Sequence, residues 1–211
     1  MIQLVVDSTA AVPKDFLEQH ANVHVIPLFI SVKGEYVPEN EATIEQVIEY
    51  SESTKKAVPT SQPSTGDFLK LFESLPKEDP IIVICITSGV SGTYNGAVLA
   101  ARQSGRKQIA VINSRTTAVG MMEVLEDGLD MIEKGLSFEE ISKGLQESAS
   151  LMRTTFTVPT LDYLRRGGRV GKAAGLIGSI LKIKPVIFLN DNNEVDVLAK
   201  VRTEKTAAAA M

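Results

Sequence analysis

Short apolar runs alternate with helix-periodic segments along the first three quarters of this 211-residue chain, and this alternation constrains the fold more than any other feature. The runs "QLVV", "IIVICI" and "IAVI" are almost continuously apolar, as is typical of strands that helices cover on both faces. Segments such as "TGDFLKLFESL" and "GMMEVLEDGLDMIEKG" carry apolar residues at helical spacing. The pattern predicts an α/β fold with a largely parallel sheet, in which "VHVIPLFISV" is a further strand-like run.

The composition of the sequence changes after Thr160, where glycine and positively charged residues become frequent. We therefore predict two domains: an α/β domain over residues 1–155 with a polar crevice at its strand ends, and a partial second domain over residues 156–211. In the second domain, "PVIFLNDNNEVDVLAKVR" predicts a hairpin that turns at "NDNN". Thr203 is a candidate N-cap for a short final helix. A hairpin and a short helix bury little apolar surface, so this domain is expected to be incomplete.

The composition excludes some classes of function. A formal net charge of −4 at pH 7 gives no general basic surface, so nucleic acid binding is not expected. Met1 leads directly into "IQLVVDST", which predicts a first strand rather than a signal peptide. The late apolar segment "AAGLIGSILKIKPVIFL" is interrupted by Lys182, Lys184 and Pro185, so it is not expected to span a membrane. These features predict a cytoplasmic protein.

Conventional catalytic and metal-binding sets are not expected in this chain. Cys85, the single cysteine, lies within "IIVICI", which favours a buried strand thiol over a nucleophile. The two histidines, His20 and His24, lie in "HANVH", which lacks the glutamate of a zinc-hydrolase helix. Acidic residues cluster on predicted helices, where solvated faces explain them. We expect no catalytic residue, no metal and no cofactor.

Small polar residues follow the strand-like runs. Asp7, Ser88 and Asn113 follow three of them, and "TSQPS" at 60–64 precedes a predicted helix that Thr60 or Ser61 could cap. Ligands of open parallel sheets bind at the carboxyl ends of the strands. Two helix N-termini facing one crevice would expose free N–H groups to a carboxylate or a phosphate. The alternative, that each hydroxyl only caps its own helix, stays open for any single residue.

The segment "TSGVSGTYNGAVLAA" is the most specific of these strand ends. Gly89 and Gly92 flank Ser91 and would let the backbone approach a ligand closely. The segment matches neither G-x-G-x-x-G nor the phosphate loop that ends in Gly-Lys-Ser/Thr. The pattern therefore argues against a dinucleotide site and against an ordinary triphosphate site.

A basic segment, "RRGGRVGK", places Arg165, Arg166 and Arg169 around three glycines, and Arg202 is a further candidate cation. Guanidinium groups suit bidentate recognition of phosphate. A solvated charged loop is an equally good interpretation of the same residues. An alternative function is therefore a small-molecule phosphotransferase or a phosphate-ester-binding enzyme that uses this crevice and these cations.

Six segments in this order resemble the DegV family of bacterial fatty-acid-binding proteins: "VVDSTA", "TSQPS", "TSGVSGTYN", "INSRTTAVG", "YLRRGGRVG" and "GLIGSILKIKP". The resemblance runs from residue 2 to about residue 203. It implies that a long-chain fatty acid lies between two α/β domains, with its carboxylate held by Thr60 and Ser91. Ser61 and Gly92 would lie close by, and Arg202 would lie near the carboxylate.

The resemblance also implies a partner. The family includes the acyl-binding subunit of fatty acid kinase, so a separate ATP-binding kinase subunit would phosphorylate the bound acid to acyl phosphate, with Arg165, Arg166 and Arg169 as candidate contacts. "VIPLFI" and "GLIGSIL" could line the tunnel for the acyl tail. The family usually has aspartate where this chain has Asn113. Its members normally continue well past residue 211, so the second domain is expected to be shortened here.

Overall fold

The structure, a computed structural model, describes residues 1–32, 34–176 and 183–211. Its strands are β1 (Gln3–Asp7), β2 (Val23–Ile26), β3 (Phe29–Val32), β4 (Glu35–Pro38), β5 (Thr60–Ser61), β6 (Ile81–Cys85), β7 (Ile109–Asn113), β8 (Thr155–Thr157), β9 (Lys184–Leu189) and β10 (Val195–Val201). Its α-helices are α1 (Lys14–Gln19), α2 (Ile44–Thr54), α3 (Thr65–Ser74), α4 (Thr93–Gln103), α5 (Val119–Glu133), α6 (Phe138–Leu151), α7 (Asp162–Arg166) and α8 (Glu204–Ala208). Short 3-10 turns cover Ser8–Ala10, Glu39–Glu41 and Gly171–Leu176.

A parallel sheet in the order β2-β1-β6-β7 forms the centre of the fold. Successive residues of its strands are buried on opposite faces. Leu4 and Ile82 pack with α5 and α6, whereas Val5 and Val83 pack with α3 and α4. Two covered faces explain why these strands are continuously apolar. The predicted α/β fold with a parallel sheet is confirmed.

The run "VHVIPLFISV" is not one strand, as its apolar pattern suggested, but two strands in different sheets. β2 pairs in parallel with β1 as far as Ile26, and β3 joins an antiparallel sheet in the order β4-β3-β5. Pro27 separates the two strands, and proline has no N–H with which to continue a ladder. The chain therefore leaves the central sheet at this point.

The predicted hairpin is confirmed. β9 and β10 pair antiparallel, and β8 completes a three-stranded sheet in the order β10-β9-β8. Ile187 and Val195 form its small buried core with Ala173. Thr203 caps α8 through the backbone N–H of Thr206, as predicted. The domain boundary at about residue 155 stays a prediction.

Within the described residues, no helix is both long enough and apolar enough to cross a bilayer. Most of the predicted tunnel segment "GLIGSIL" lies outside the described residues.

Candidate functional site

The carboxyl ends of β6 and β7 are joined by hydrogen bonds between the loops that follow them. Asn113 Oδ1 accepts from the backbone N–H of Ser88 at 3.2 Å, and Asn113 Nδ2 donates to Ser88 Oγ at 2.8 Å. The N–H of Thr87 donates to the carbonyl of Thr116 at 3.0 Å. The neutral amide of Asn113 thus both donates to and accepts from the loop that follows β6, and it adds no charge there. The polar strand ends predicted from the sequence do converge at one edge of the sheet.

Asp7, at the end of β1, is a buried carboxylate that organises this edge. Its Oδ2 accepts from the Ile86 N–H at 2.6 Å, and its Oδ1 accepts from the N–H and the hydroxyl of Thr9. Burial raises the pKa of the Asp7 carboxyl, although these donors act in the opposite direction. Both oxygens are occupied by the protein itself, so Asp7 holds the strand ends together rather than facing a ligand.

The segment "TSQPS" packs against the start of α4. A Cβ built on Gly92 would stand 2.1 Å from Gln62 Oε1, and one on Gly96 would stand 3.2 Å from Gln62 Nε2. Pro63, which is buried, also reaches Gly96 through its carbonyl. The two glycines therefore let the loop at 60–64 approach the helix closely. This contact brings the neighbourhoods of Thr60 and Ser91 together.

Thr60 and Ser61 do not cap α3, which was one of the roles predicted for them. They form β5, where Thr60 pairs with Ile30 and Ser61 pairs with Phe29. The cap is Ser64, whose hydroxyl accepts from the Asp67 N–H at 3.1 Å in a capping box. Because the capping role falls to Ser64, the exposed side chains of Thr60 and Ser61 are not committed to the helix start.

Ser91 lies just before α4, and its side chain is held from within the helix. Its Oγ is 2.8 Å from Thr93 Oγ1 and 3.3 Å from the Thr93 backbone N. Ser91 is half-buried, whereas Thr93 is fully buried. The N-cap position itself is Gly92, which has no side chain to accept from the N–H groups that follow Thr93 in the helix.

The tip of the β9–β10 hairpin lies on the loop between β6 and α4. A Cβ on Gly89 would stand 1.8 Å from the carbonyl oxygen of Asn193, so only glycine fits at residue 89. Arg115 Nη2 donates to the Asp191 carbonyl at 2.9 Å. Arg169 Nε donates to the Val90 carbonyl at 3.0 Å. The loops that follow β6 and β7 are thus also held by the hairpin tip and by Arg169.

The other predicted cations lie on α7, in the case of Arg165 and Arg166, and after β10, in the case of Arg202. Arg165 pairs with Asp162 along α7 at 3.6 Å, and Arg166 is exposed on the same helix. Arg202 follows the end of β10, whereas the start of that strand lies beside the hairpin tip. A seven-residue strand spans about 20 Å, so Arg202 lies at the opposite end of β10 from the contact with Gly89.

Cys85 and the two histidines occupy packed positions. Burial raises the pKa of the Cys85 thiol well above its usual value. His20 stacks on Phe16, and His24 Nε2 lies 2.7 Å from Gln3 Oε1. In the described ranges, no group of three or more His, Cys, Asp or Glu side chains could hold a metal ion.

Two residues of the candidate site, Gln62 and Thr93, were not predicted from the sequence. Gln62 lies inside the quoted "TSQPS", and Thr93 lies inside "TSGVSGTY". Thr93 could have been recognised from the sequence, because a hydroxyl two residues after Ser91 can form a hydrogen bond with it at the first turn of the helix. No local signal indicated that Gln62 meets Gly92, because these residues are 30 positions apart.

A family model described as "Uncharacterised protein, DegV family" matches residues 1–211. A DegV domain-containing protein of Staphylococcus aureus (strain COL) is 34% identical over 206 residues, which are 97% of this chain and 72% of that protein.

Two solved structures are similar over the whole chain. One, described as showing fatty acid binding of a DegV family protein from Thermus thermophilus, has a TM-score of 0.89 and 29% identity and covers 99% of this chain and 74% of its own. The other, a stearic acid-binding protein of Eubacterium ventriosum, has a TM-score of 0.85 and 31% identity and covers 100% of this chain and 74% of its own.

Proposed function

The chain belongs to the DegV family, and on that basis we propose that it binds a long-chain fatty acid whose carboxylate is held by Thr60 and Ser91. The single observation that carries this proposal is the contact between Gln62 and Gly92. It brings the hydroxyl-bearing strand β5 and the start of α4 to one place, although they are far apart in the sequence. Relatives of this chain that bind fatty acids support the same ligand class.

The chemistry of the two loops suits a carboxylate head group. An ionised carboxylate only accepts hydrogen bonds, and hydroxyls and backbone N–H groups donate them without adding a charge. The first N–H groups of α4 lack partners inside the helix and add a favourable dipole. A triphosphate site of the phosphate-loop type would need a lysine, which the loop "SGVSGTY" does not carry.

An apolar path for the tail adjoins the head-group residues. Thr60 and Ser61 pair with Ile30 and Phe29 of β3, which belong to the segment "VIPLFI" predicted to line the tunnel. These two apolar side chains are only half-buried, so part of their surface is free for an acyl chain. A fatty acid held at Thr60 would therefore have apolar surface within one strand spacing of its carboxylate.

The bound acid would be presented to a separate ATP-binding kinase subunit, which would form the acyl phosphate. In this proposal the exposed Arg165 and Arg166 contact the partner, together with Arg169, which also holds the Val90 carbonyl. Arg202 lies at the far end of β10 from the Gly89 contact, so in this proposal Thr60 and Ser91 hold the carboxylate without Arg202. The chain then needs no catalytic base of its own.

Trapping of acyl phosphate with hydroxylamine tests whether the kinase subunit carries out the phosphorylation. ATP and oleate should give acyl phosphate only when the kinase subunit is added.

Head-group substitutions test the assignment of Thr60 and Ser91. A hydrogen bond to a charged group contributes about 1.5–3 kcal/mol, so Thr60→Val and Ser91→Ala should each weaken oleate binding by roughly 10- to 100-fold. Ser150→Ala is the matched control, because Ser150 donates only to the Glu147 carbonyl on the exposed side of α6. Unchanged affinity in both head-group variants would refute the assignment.

A further inference from the structure

We propose that Thr93 is the positioning residue that directs the Ser91 hydroxyl proton toward the bound carboxylate, an inference that rests on the proposed function of the crevice. Thr93 is the first residue of α4 and has 0% of its surface exposed. Its Oγ1 lies 2.8 Å from Ser91 Oγ, and its backbone N lies 3.3 Å from the same oxygen. The hydroxyl and the backbone N–H of Thr93 thus both lie within hydrogen-bonding distance of the Ser91 hydroxyl.

The direction of the hydroxyl bond decides what Ser91 can do. A serine hydroxyl has one proton to donate and two lone pairs with which to accept. If Ser91 donated to Thr93, it would have no proton left for a carboxylate, which can only accept. If Thr93 Oγ1 and the Thr93 N–H both donate to Ser91 Oγ, the two lone pairs are used and the Ser91 proton turns away from the helix.

A buried threonine strengthens this arrangement. A chain that runs from Thr93 O–H to Ser91 O–H to the carboxylate polarises each bond in the same direction. Because Thr93 is shielded from water, its proton has no solvent acceptor to compete with Ser91. Without the Thr93 hydroxyl, Ser91 would keep its proton but lose the contact that fixes its direction.

Thr87 provides a matched control in the same loop. It is also fully buried, and its Oγ1 has no hydrogen-bond partner among the described residues. Thr87→Val and Thr93→Val therefore make the same chemical change at two buried sites six residues apart, and only one of them removes a contact with Ser91. A general effect on loop packing should appear in both variants.

Binding of [1-13C]palmitate to the full chain tests the proposal. Thr93→Val and Thr93→Ala should each raise the Kd roughly fivefold, as expected for the loss of one hydrogen bond, while Thr93→Ser and Thr87→Val should bind like the unmodified protein. The 13C signal should also show a raised pKa of the bound carboxyl in Thr93→Val and Thr93→Ala, because its anion loses a well-aligned donor. In a Ser91→Ala background, Thr93→Val should have no further effect.

The outcomes separate the two proposals. If the unmodified protein takes up neither palmitate nor oleate, the proposed function fails and the role of Thr93 fails with it. If it binds palmitate and the Thr93→Val and Thr93→Ala variants keep both the affinity and the carboxyl pKa, only the role of Thr93 is overturned. Equal losses in Thr87→Val and Thr93→Val, or the same loss with and without Ser91, would also overturn it.

Discussion

Gly92 lies directly against the side chain of Gln62, so that a Cβ at residue 92 would stand 2.1 Å from Gln62 Oε1. The two residues belong to loops that precede different helices, α3 and α4. Their contact fixes how closely the hydroxyls of β5 approach the start of α4. The geometry of the proposed carboxylate site therefore depends on a glycine that has no donor side chain of its own.

Gly92→Ala should weaken fatty acid binding with little loss of stability. Gln62 is exposed and its amide is the end of a flexible side chain, so it can move away from the new methyl group at little cost, but its contact with residue 92 is then lost. Affinity for oleate and urea unfolding would be measured on the same preparations. The double variant Gln62→Ala with Gly92→Ala should recover part of the affinity, and an unchanged affinity in Gly92→Ala alone would contradict this role.

Gly89→Ala should be more damaging, because the methyl group meets a backbone rather than a side chain. A Cβ at residue 89 would stand 1.8 Å from the Asn193 carbonyl oxygen, so the hairpin tip must shift. Overpacking of this kind costs about 1–3 kcal/mol. Urea unfolding and hydrogen exchange of residues 186–197 would report the effect.

Gly66→Ala is the control for that substitution. A Cβ at residue 66 meets only Ser64 Oγ at 3.6 Å, an ordinary contact, and residue 66 lies in α3. Alanine should therefore stabilise the protein by up to about 1 kcal/mol through helix propensity. Protection of the hairpin that is equal in Gly89→Ala and Gly66→Ala would argue against the docking of the hairpin tip.

Ser64→Ala should destabilise the helix start that follows "TSQPS", and the loss should depend on pH. Removal of this N-cap costs about 1 kcal/mol near neutral pH. The Ser64 hydroxyl and N–H lower the pKa of the Asp67 carboxyl below its usual 3.8. In the folded state Asp67 thus binds a proton less readily than in the unfolded state, so its contribution is present above the usual pKa and disappears as the pH falls through the folded-state pKa.

Urea unfolding of the unmodified protein and of Ser64→Ala, compared from about pH 6 to about pH 3, checks this sign. The difference between them should shrink toward acid. A difference that stays constant or grows would show that the Asp67 carboxylate does not take part in the cap.

Cys85 should react with thiol reagents only when the protein unfolds. It is fully buried in β6, and burial raises its pKa, with the nearby Asp7 carboxylate acting in the same direction. A thiol-specific chromogenic reagent should therefore label the native protein slowly and the urea-unfolded protein at once. Rapid labelling of the native protein would mean that β6 is accessible.

Continuous apolar runs were enough to predict the central strands, because both faces of β1 and β6 are covered. The hairpin and the cap at Thr203 were also readable, since both depend on local turn and capping chemistry. The split at Pro27 was missed because apolar composition alone does not indicate when a chain changes sheets.

The candidate site was predictable in part for a similar reason. The strand-end polar residues converge because parallel strands end at one edge of a sheet, which periodicity can anticipate. The contact between Gln62 and Gly92 depends on how β5 packs against α4, and that packing is tertiary. The capping residue of α3 was wrong by three or four positions, since several hydroxyls in "TSQPS" are equally good caps in isolation.

The most direct test of fatty acid binding is mass spectrometry of lipids extracted from the gently purified protein. The proposal predicts one or a few long-chain fatty acids that copurify with the chain, and a clear loss of them from the Thr60→Val and Ser91→Ala variants. A preparation that carries no acyl chain and also takes up no added oleate would contradict it.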